Sequence, residues 1–141
     1  MAKKADFSAD EWKALRTGLL GASMFVSLSD RDFTDTFGEV GAMTKYLQAM
    51  QMAGATELMR ELAHEHGNPF GLTASPDRVR DETVASLKAS SATLKSKAPE
   101  ELEPYRAFVT KMARAVAVAK GGGESAIETA ALKQIDDALA A

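Results

Sequence analysis

The sequence predicts an all-α protein, a compact bundle of about six helices that forms a single domain over residues 1–141. Apolar residues recur at steps of three and four along most of the chain, which is the spacing of amphipathic helices. No segment alternates between apolar and polar residues for long enough to indicate a strand. The composition, 45% apolar and 26% charged, is ordinary for a soluble globular protein.

The first helix is predicted to begin after Ser8, because Ser8 and Glu11 have the spacing of a capping box. Residues 12–26 place apolar side chains on one face, and further along the remaining faces become apolar too. A helix that is apolar all round is buried on every side. Gly18 and Gly21 each disfavour the helix by about 1 kcal/mol relative to alanine, so we expect a closely packed neighbour to be the reason for them.

Helices two and three are predicted from the residues that separate them. Residues 29–36 form a polar, acidic loop, and a second helix follows to about Met52. Gly54 is expected to break that helix, so that a third helix spans residues 55–66. Gly67 then has the position of a glycine just beyond a helix C-terminus.

Helices four to six begin and end at proline and glycine signals. Ser75-Pro76 is an N-cap followed by a proline in the first turn, and Pro99 ends this fourth helix or begins a short turn. Its apolar face is narrow, so we expect the helix to lie at the surface. The fifth helix begins near Pro104 and stops at the glycines 121–123, and the sixth begins at a capping box over residues 125–128.

The two ends of the chain look like two copies of one helical hairpin, at about residues 8–52 and 104–140, with a helical insert between them. The leading helices match at a shift of 90 positions and the following helices at 89. The matched pairs in the leading helices are Leu15 with Tyr105, Leu19 with Val109, Ala22 with Met112, and Val26 with Val116. We therefore expect the two leading helices to form the central pair of the bundle.

The acidic loop is the first candidate site. Asp30, Asp32 and Asp35 lead to Glu39, and alternating aspartates on a loop supply the oxygen ligands that hard cations such as calcium prefer. The spacing is not that of an EF-hand, because Asp35 stands where glycine is needed and Gly41 stands where the bidentate glutamate belongs. The alternative is structural: one aspartate caps the second helix and the others favour its positive end.

The second candidate site is on the third helix. Glu61 and His64 form a Glu-x-x-His pattern, which supplies metal ligands in di-iron carboxylate bundles. With about 3.6 residues per turn, these two residues and Glu57 fall on the arc opposite the apolar residues of the helix. A metal site there would need a dimer that buries the polar arc, and the alternative leaves all three side chains solvated.

We expect no catalytic residues. The chain has no cysteine and only two histidines, which lie close together, and it offers no set of nucleophile, base and orienting group. The glycines 121–123 lack both the preceding strand and the Gly-Lys-Ser/Thr ending of a phosphate-binding loop. We also expect no cofactor, and a divalent metal is the one small ligand that the sequence suggests.

Charge and hydropathy argue against some partners. The net charge is −3 and the basic residues are scattered, so there is no electrostatic case for nucleic acid. The longest apolar-leaning run, residues 19–28, is about half of what a membrane span needs. The first residues lack the apolar stretch of a secretory signal. Together with the absence of cysteine, this pattern predicts a cytoplasmic protein.

Methionines concentrate in helices two and three, at Met43, Met50, Met52 and Met59. If they were exposed, they would form an adaptable binding surface, because the thioether chain is flexible and polarizable. At helical spacing they are more often residues of the core.

The stretches VSLSDRDFTDTFGEVGAMTKYL (26–47) and AVAVAKGGGESAIETAALKQI (115–135) resemble the tellurite-resistance TerB-like helical domains. In that family an apolar helix, a short acidic loop and a helix that begins near a glutamate occur twice. The resemblance implies an association with stress response. It also implies metal binding at the acidic loop, through Asp30, Asp32, Asp35 and Glu39.

Two functional hypotheses follow. The first is a small non-catalytic helical protein that binds a protein partner or associates with itself, for instance as a homodimer, in a stress context. The second is a metal-binding protein that uses the acidic loop 30–39, or a ferritin-like site formed at a dimer interface by Glu57, Glu61 and His64. A third hypothesis, an enzyme with an apolar pocket inside the bundle, has no residue set in its favour.

Overall fold

A computed structural model of the protein describes residues 2–29, 36–67, 69–70, 74–118 and 126–140. Within these ranges the chain is almost entirely helical and contains no strand, which confirms the all-α prediction. The six helices pack into one compact bundle: α1 (Ala9–Ser29), α2 (Thr36–Ala53), α3 (Glu57–Leu62), α4 (Pro76–Lys97), α5 (Leu102–Val118) and α6 (Ala126–Ala140). None of these helices has the length and apolar character that crossing a membrane requires.

The start of α1 is capped as the sequence predicts. The Ser8 backbone N–H donates to Glu11 Oε1 over 2.8 Å, and the Glu11 backbone N–H donates to Ser8 Oγ over 3.1 Å. Phe7 and Trp12 on either side of this box are both buried. The capping box therefore fixes where the helix begins, and the two aromatic residues anchor that end to the core.

The two leading helices, α1 and α5, contact each other along the centre of the bundle. Phe25 and Val116, which lie near the C-terminal ends of these helices, are both buried. The internal repeat therefore predicted the central helix pair correctly.

The two hairpins are interleaved. α6 packs on α1, and α2 packs on α5. The second helix of each hairpin therefore packs on the leading helix of the other hairpin. Tyr46 on α2 contacts Phe108 on α5, with ring centroids 5.9 Å apart. By contrast, α1 and α2 approach each other at few backbone positions. The first hairpin is consequently splayed, and the gap between its two helices is the origin of the groove described below.

The insert helix α4 is the most extensive neighbour of α1. A Cβ added at Gly18 would lie 2.5 Å from Tyr105 Oη and 2.9 Å from Leu87 Cδ2, and one added at Gly21 would lie 2.5 Å from Thr83 Oγ1. The two glycines therefore make room for α4 and α5, which confirms the expectation of close packing. The buried face of α4 is wider than its apolar residues indicated, because it includes Thr83, Ser90 and Ser91.

The third helix is shorter than predicted, because it ends at Leu62 rather than at residue 66. Beyond it, the His64 and Glu65 backbone N–H groups bond back three residues, to Glu61 and Leu62, instead of four. The Ala63 carbonyl accepts a hydrogen bond from the Gln51 side chain over 3.3 Å. Tertiary hydrogen bonds thus compete with further helical turns, and they turn the chain back toward α1.

Candidate functional site: a groove between α1 and α2

The splayed first hairpin leaves a half-open groove of about 500 Å³ between α1 and α2. Residues 63–67, which follow α3, close one end of it by bridging the two helices: Gln51 on α2 donates to the Ala63 carbonyl oxygen and Arg16 on α1 donates to the His66 carbonyl oxygen. The volume of the groove lies within the range of about 300 to 1,000 Å³ that is usual for small-molecule sites. The residues that line it are Met24, Met43, Thr44, Leu47, Gln48, Gln51, Ala63, His64, Glu65, His66 and Gly67.

The floor of the groove is apolar. Leu47 and Ala63 are buried, and Met24 and Met43 are partly buried and pack against the core. Thr44 and Gln48, one turn apart on the exposed side of α2, form a polar edge above this floor. An apolar floor with a small number of polar groups at the edge is typical of ligand-binding pockets.

A fixed carboxylate, Glu65, forms part of the wall. Trp12 Nε1 donates to Glu65 Oε1 over 2.8 Å, and Arg16 Nε donates to Glu65 Oε2 over 3.1 Å. Lys4 Nζ lies 3.7 Å from Glu65 Oε1 and also 5.1 Å from the centroid of the Trp12 ring. Glu65 is therefore held to α1 by an indole and a guanidinium, with an ammonium group adding its charge.

These contacts decide the charge state of Glu65. Partial burial alone would raise the pKa of the Glu65 carboxyl, because burial disfavours the charged form. The hydrogen bond from Trp12 and the nearby charges of Lys4 and Arg16 outweigh that effect and lower the pKa below its ordinary value of 4.5. Glu65 is consequently ionised at neutral pH, and the charges of Lys4 and Arg16 balance its own.

The closed end of the groove is formed by backbone as well as side chains. Arg16 Nη2 donates to the His66 carbonyl oxygen over 2.8 Å, and Gln51 Nε2 donates to the Ala63 carbonyl oxygen. Gly67 follows with a φ of 93°, in the left-handed region that glycine adopts without strain. The prediction that Gly67 lies just beyond the C-terminus of the third helix is wrong, because α3 ends at Leu62 and its C-cap is Ala63. Gly67 instead forms a turn further along the chain.

The groove has two chemically different ends. Met43 and Gln51 both face it and are eight residues apart on α2, which is about 12 Å along a helix axis. Met24 lies at the same distance along α1 from Arg16, the residue that holds the closed end. One end is therefore lined by two thioethers, and the other by an amide, two imidazoles and backbone groups.

The predicted acidic site falls mostly outside the described part of the chain. Asp30, Asp32 and Asp35 lie in the segment 30–35, which is not among the described residues. Glu39 belongs to α2, but its side chain is not described. The prediction of a metal site at this loop therefore stays a prediction.

The second predicted set, Glu57, Glu61 and His64, lies on the outer side of α3 and just beyond its end. Glu57 and Glu61 are partly exposed and His64 is exposed, whereas the apolar side chains of Leu58 and Leu62 are fully buried. The two faces are thus divided as the helical spacing predicted. Among the described residues, no three His, Asp or Glu side chains come together in a way that would hold a metal ion.

The methionine cluster divides between core and surface. Met59 is fully buried, and Met43 and Met50 are partly buried against the core. Met52 is 89% exposed and lies away from the groove. The core interpretation therefore describes Met59, whereas Met43, together with Met24 on α1, belongs to the floor of the groove.

Sequence reasoning missed the group of residues that holds the groove wall. Trp12 and Arg16 are one turn apart on α1, and both contact Glu65, which was assigned to a third helix. A signal was available, because the indole N–H of a buried tryptophan needs a hydrogen-bond acceptor. The acceptor could not be identified, since it comes from 53 residues further along the chain.

Comparison of this chain with models of protein families, with curated proteins and with solved structures finds no match. The groove is therefore interpreted from its own residues.

Proposed function

We propose that this protein is a non-catalytic binding protein and that the groove between α1 and α2 is its binding site. The observation that supports the proposal is the combination of an apolar floor of Met24, Met43 and Leu47 with a closed end held by tertiary hydrogen bonds. A site whose polar end is fixed before the ligand arrives loses little conformational entropy on binding.

The chemistry of the lining favours binding over catalysis. A general base works best when its pKa is near the working pH. The pKa of Glu65 is lowered, and both of its oxygens accept hydrogen bonds, from Trp12 and Arg16. Glu65 therefore serves as a structural group in this proposal.

The other hypotheses remain as predictions. Binding of a protein partner and self-association are both ways to cover an apolar groove. The resemblance to TerB-like domains, the stress context and the metal site at residues 30–39 depend on a segment that is largely outside the described ranges. A ferritin-like site at Glu57, Glu61 and His64 would depend on a dimer.

The proposal is tested by mapping a small probe on the protein by two-dimensional NMR of the backbone amides. Indole, titrated to millimolar concentration, is expected to shift the amide signals of Met43, Leu47, Gln51 and Ala63. The variant Thr44→Phe places a ring at the exposed edge of the groove and should abolish these shifts. Lys45→Phe, at the next position, is exposed and does not line the groove, so it is the matched control.

Shifts that appear elsewhere on the protein, or that persist in Thr44→Phe, would contradict the proposal. Light scattering over a range of protein concentrations then shows whether the groove is used for self-association. Self-association through the groove predicts a mass that rises with concentration in the wild type and in Lys45→Phe, but not in Thr44→Phe.

A further inference from the structure

We infer that the groove binds a neutral, elongated amphiphile, with its apolar body at Met24 and Met43 and a hydrogen-bonding head group at the closed end formed by residues 63–67. This inference rests on the proposed function and specifies the class of ligand. It depends on the shape of the groove, on its charge and on the different chemistry of its two ends.

The shape favours a narrow molecule. The lining runs about 12 Å along α2 from Met43 to Gln51, and the volume is about 500 Å³. A helix from a partner protein is about 10 Å wide and needs a groove that is open at both ends. Here Gln51 and Ala63 are joined by a hydrogen bond across the closed end. An alkyl chain of medium length or a pair of aromatic rings fits this outline.

The charge favours a neutral molecule. Among the described residues that line the groove there is no lysine or arginine. Arg16, beside the closed end, already donates to Glu65 and to the His66 carbonyl oxygen, so an anionic head group would gain no unpaired guanidinium or ammonium group from this part of the chain. Among the described lining residues the one carboxylate is Glu65, which already accepts from Trp12 and Arg16 and is close to Lys4, so it offers little to a cationic head group. A charged head group would lose its hydration without gaining a partner, which is costly.

The two ends favour an amphiphile over a purely apolar molecule. The thioether chains of Met24 and Met43 adapt their shape and pack well on aromatic or alkyl groups. The other end presents the Gln51 amide and the exposed imidazoles of His64 and His66. These groups offer hydrogen bonds to a hydroxyl, an amide or an amine N–H.

The test uses N-phenyl-1-naphthylamine, a neutral and elongated dye whose emission rises and shifts to shorter wavelength in an apolar site. We expect saturable binding of one dye per protein, at least about tenfold weaker in Thr44→Phe and unchanged in Lys45→Phe. Competition with three ten-carbon chains then examines the head group. 1-Decanol should displace the dye at a concentration about tenfold lower than decanoate or decylammonium requires.

Three outcomes would contradict the inferred ligand class, and one of them would also contradict the proposed function. Equal displacement by the charged chains would overturn the inference of a neutral ligand. If indole shifts the groove amides but the dye and decanol do not bind, the ligand class is wrong and the proposed function stands. If neither probe binds at the groove, both proposals fail.

Discussion

Tyr105 and Leu15 occupy the same position in the two hairpins, and they are hydrogen-bonded to each other at the centre of the bundle. Tyr105 Oη donates to the Leu15 carbonyl oxygen over 2.9 Å, and both residues are fully buried. Two residues at equivalent positions of a repeat can touch each other only close to the rotation axis that relates the two copies. The contact therefore marks where the two hairpins meet, with α1 and α5 on either side of it.

Replacing Tyr105 with phenylalanine should destabilise the protein by about 1 kcal/mol, because a buried carbonyl loses a hydrogen bond and the ring is retained. Urea-induced unfolding at neutral pH measures this difference. Tyr46→Phe is the matched control, since Tyr46 packs on Phe108 through its ring and is only partly buried. Equal losses in the two variants would show that the hydrogen bond at the centre is not what stabilises the hairpin pair.

The same residue predicts a loss of stability in alkali. Burial raises the pKa of Tyr105 above its ordinary value of 10.0. Above pH 10 the unfolded chain releases this proton and the folded protein does not, so rising pH favours unfolding. The slope approaches about 1.4 kcal/mol per pH unit. The stability gap between wild type and Tyr105→Phe, measured from pH 8 to 11, should narrow above pH 10. A constant gap would contradict the prediction, because all other titrating groups are common to both proteins.

Much of the fold could be predicted because the signals are local. The capping box at Ser8 and the N-cap at Ser75 depend on residues a few positions apart, and both are formed as expected. The end of α3 could not be predicted, because the hydrogen bonds that stop it come from Gln51 and Arg16 on other helices. The burial of Thr83 on α4 could not be predicted either, since it depends on the close approach of α4 to Gly21 in α1.

Replacement of two glycines by alanine should change the stability in opposite directions, because Gly18 in α1 is closely packed and Gly41 in α2 is exposed. Gly18→Ala should destabilise the protein by about 1 to 3 kcal/mol, because its Cβ would lie 2.5 Å from Tyr105 Oη and 2.9 Å from Leu87. A Cβ at Gly41, on the exposed side of α2, would meet none of the described atoms within 4 Å, so Gly41→Ala should stabilise the protein by up to about 1 kcal/mol through helix propensity. Thermal unfolding of the two variants provides the comparison. A stabilising Gly18→Ala would mean that α4 and α5 do not pack on α1 this closely.

The candidate site was less predictable than the fold. Met43 was identified as either a core or a binding residue, but its partner across the groove, Met24, belongs to a helix that was expected to be buried on all sides. The groove exists because α2 packs on α5 rather than closely on α1. The packing of α2 on α5 depends on contacts between residues far apart in the sequence, such as Tyr46 and Phe108.

The last prediction concerns the anion in the groove wall. Glu65→Gln should cost about 2 kcal/mol at neutral pH, because Arg16 and Lys4 lose a charged partner in a partly buried site. The pKa of Glu65 is lowered, so its contribution to stability is complete above its ordinary value of 4.5. That contribution disappears as the pH falls through the folded-state pKa. The difference in the free energy of unfolding between wild type and Glu65→Gln should therefore shrink progressively as the pH falls below about 4.5.

The matched control is Glu103→Gln, which removes an exposed carboxylate 2.6 Å from Arg106 on α5. An exposed ion pair of this kind contributes less than about 1 kcal/mol. Trp12 is the only tryptophan, so its fluorescence during urea unfolding reports directly on the wall that Glu65 completes. If Glu65→Gln costs no more than Glu103→Gln, or if its gap does not depend on pH, then the wall is not held by charge. The neutral character assigned to the groove would lose its basis as well.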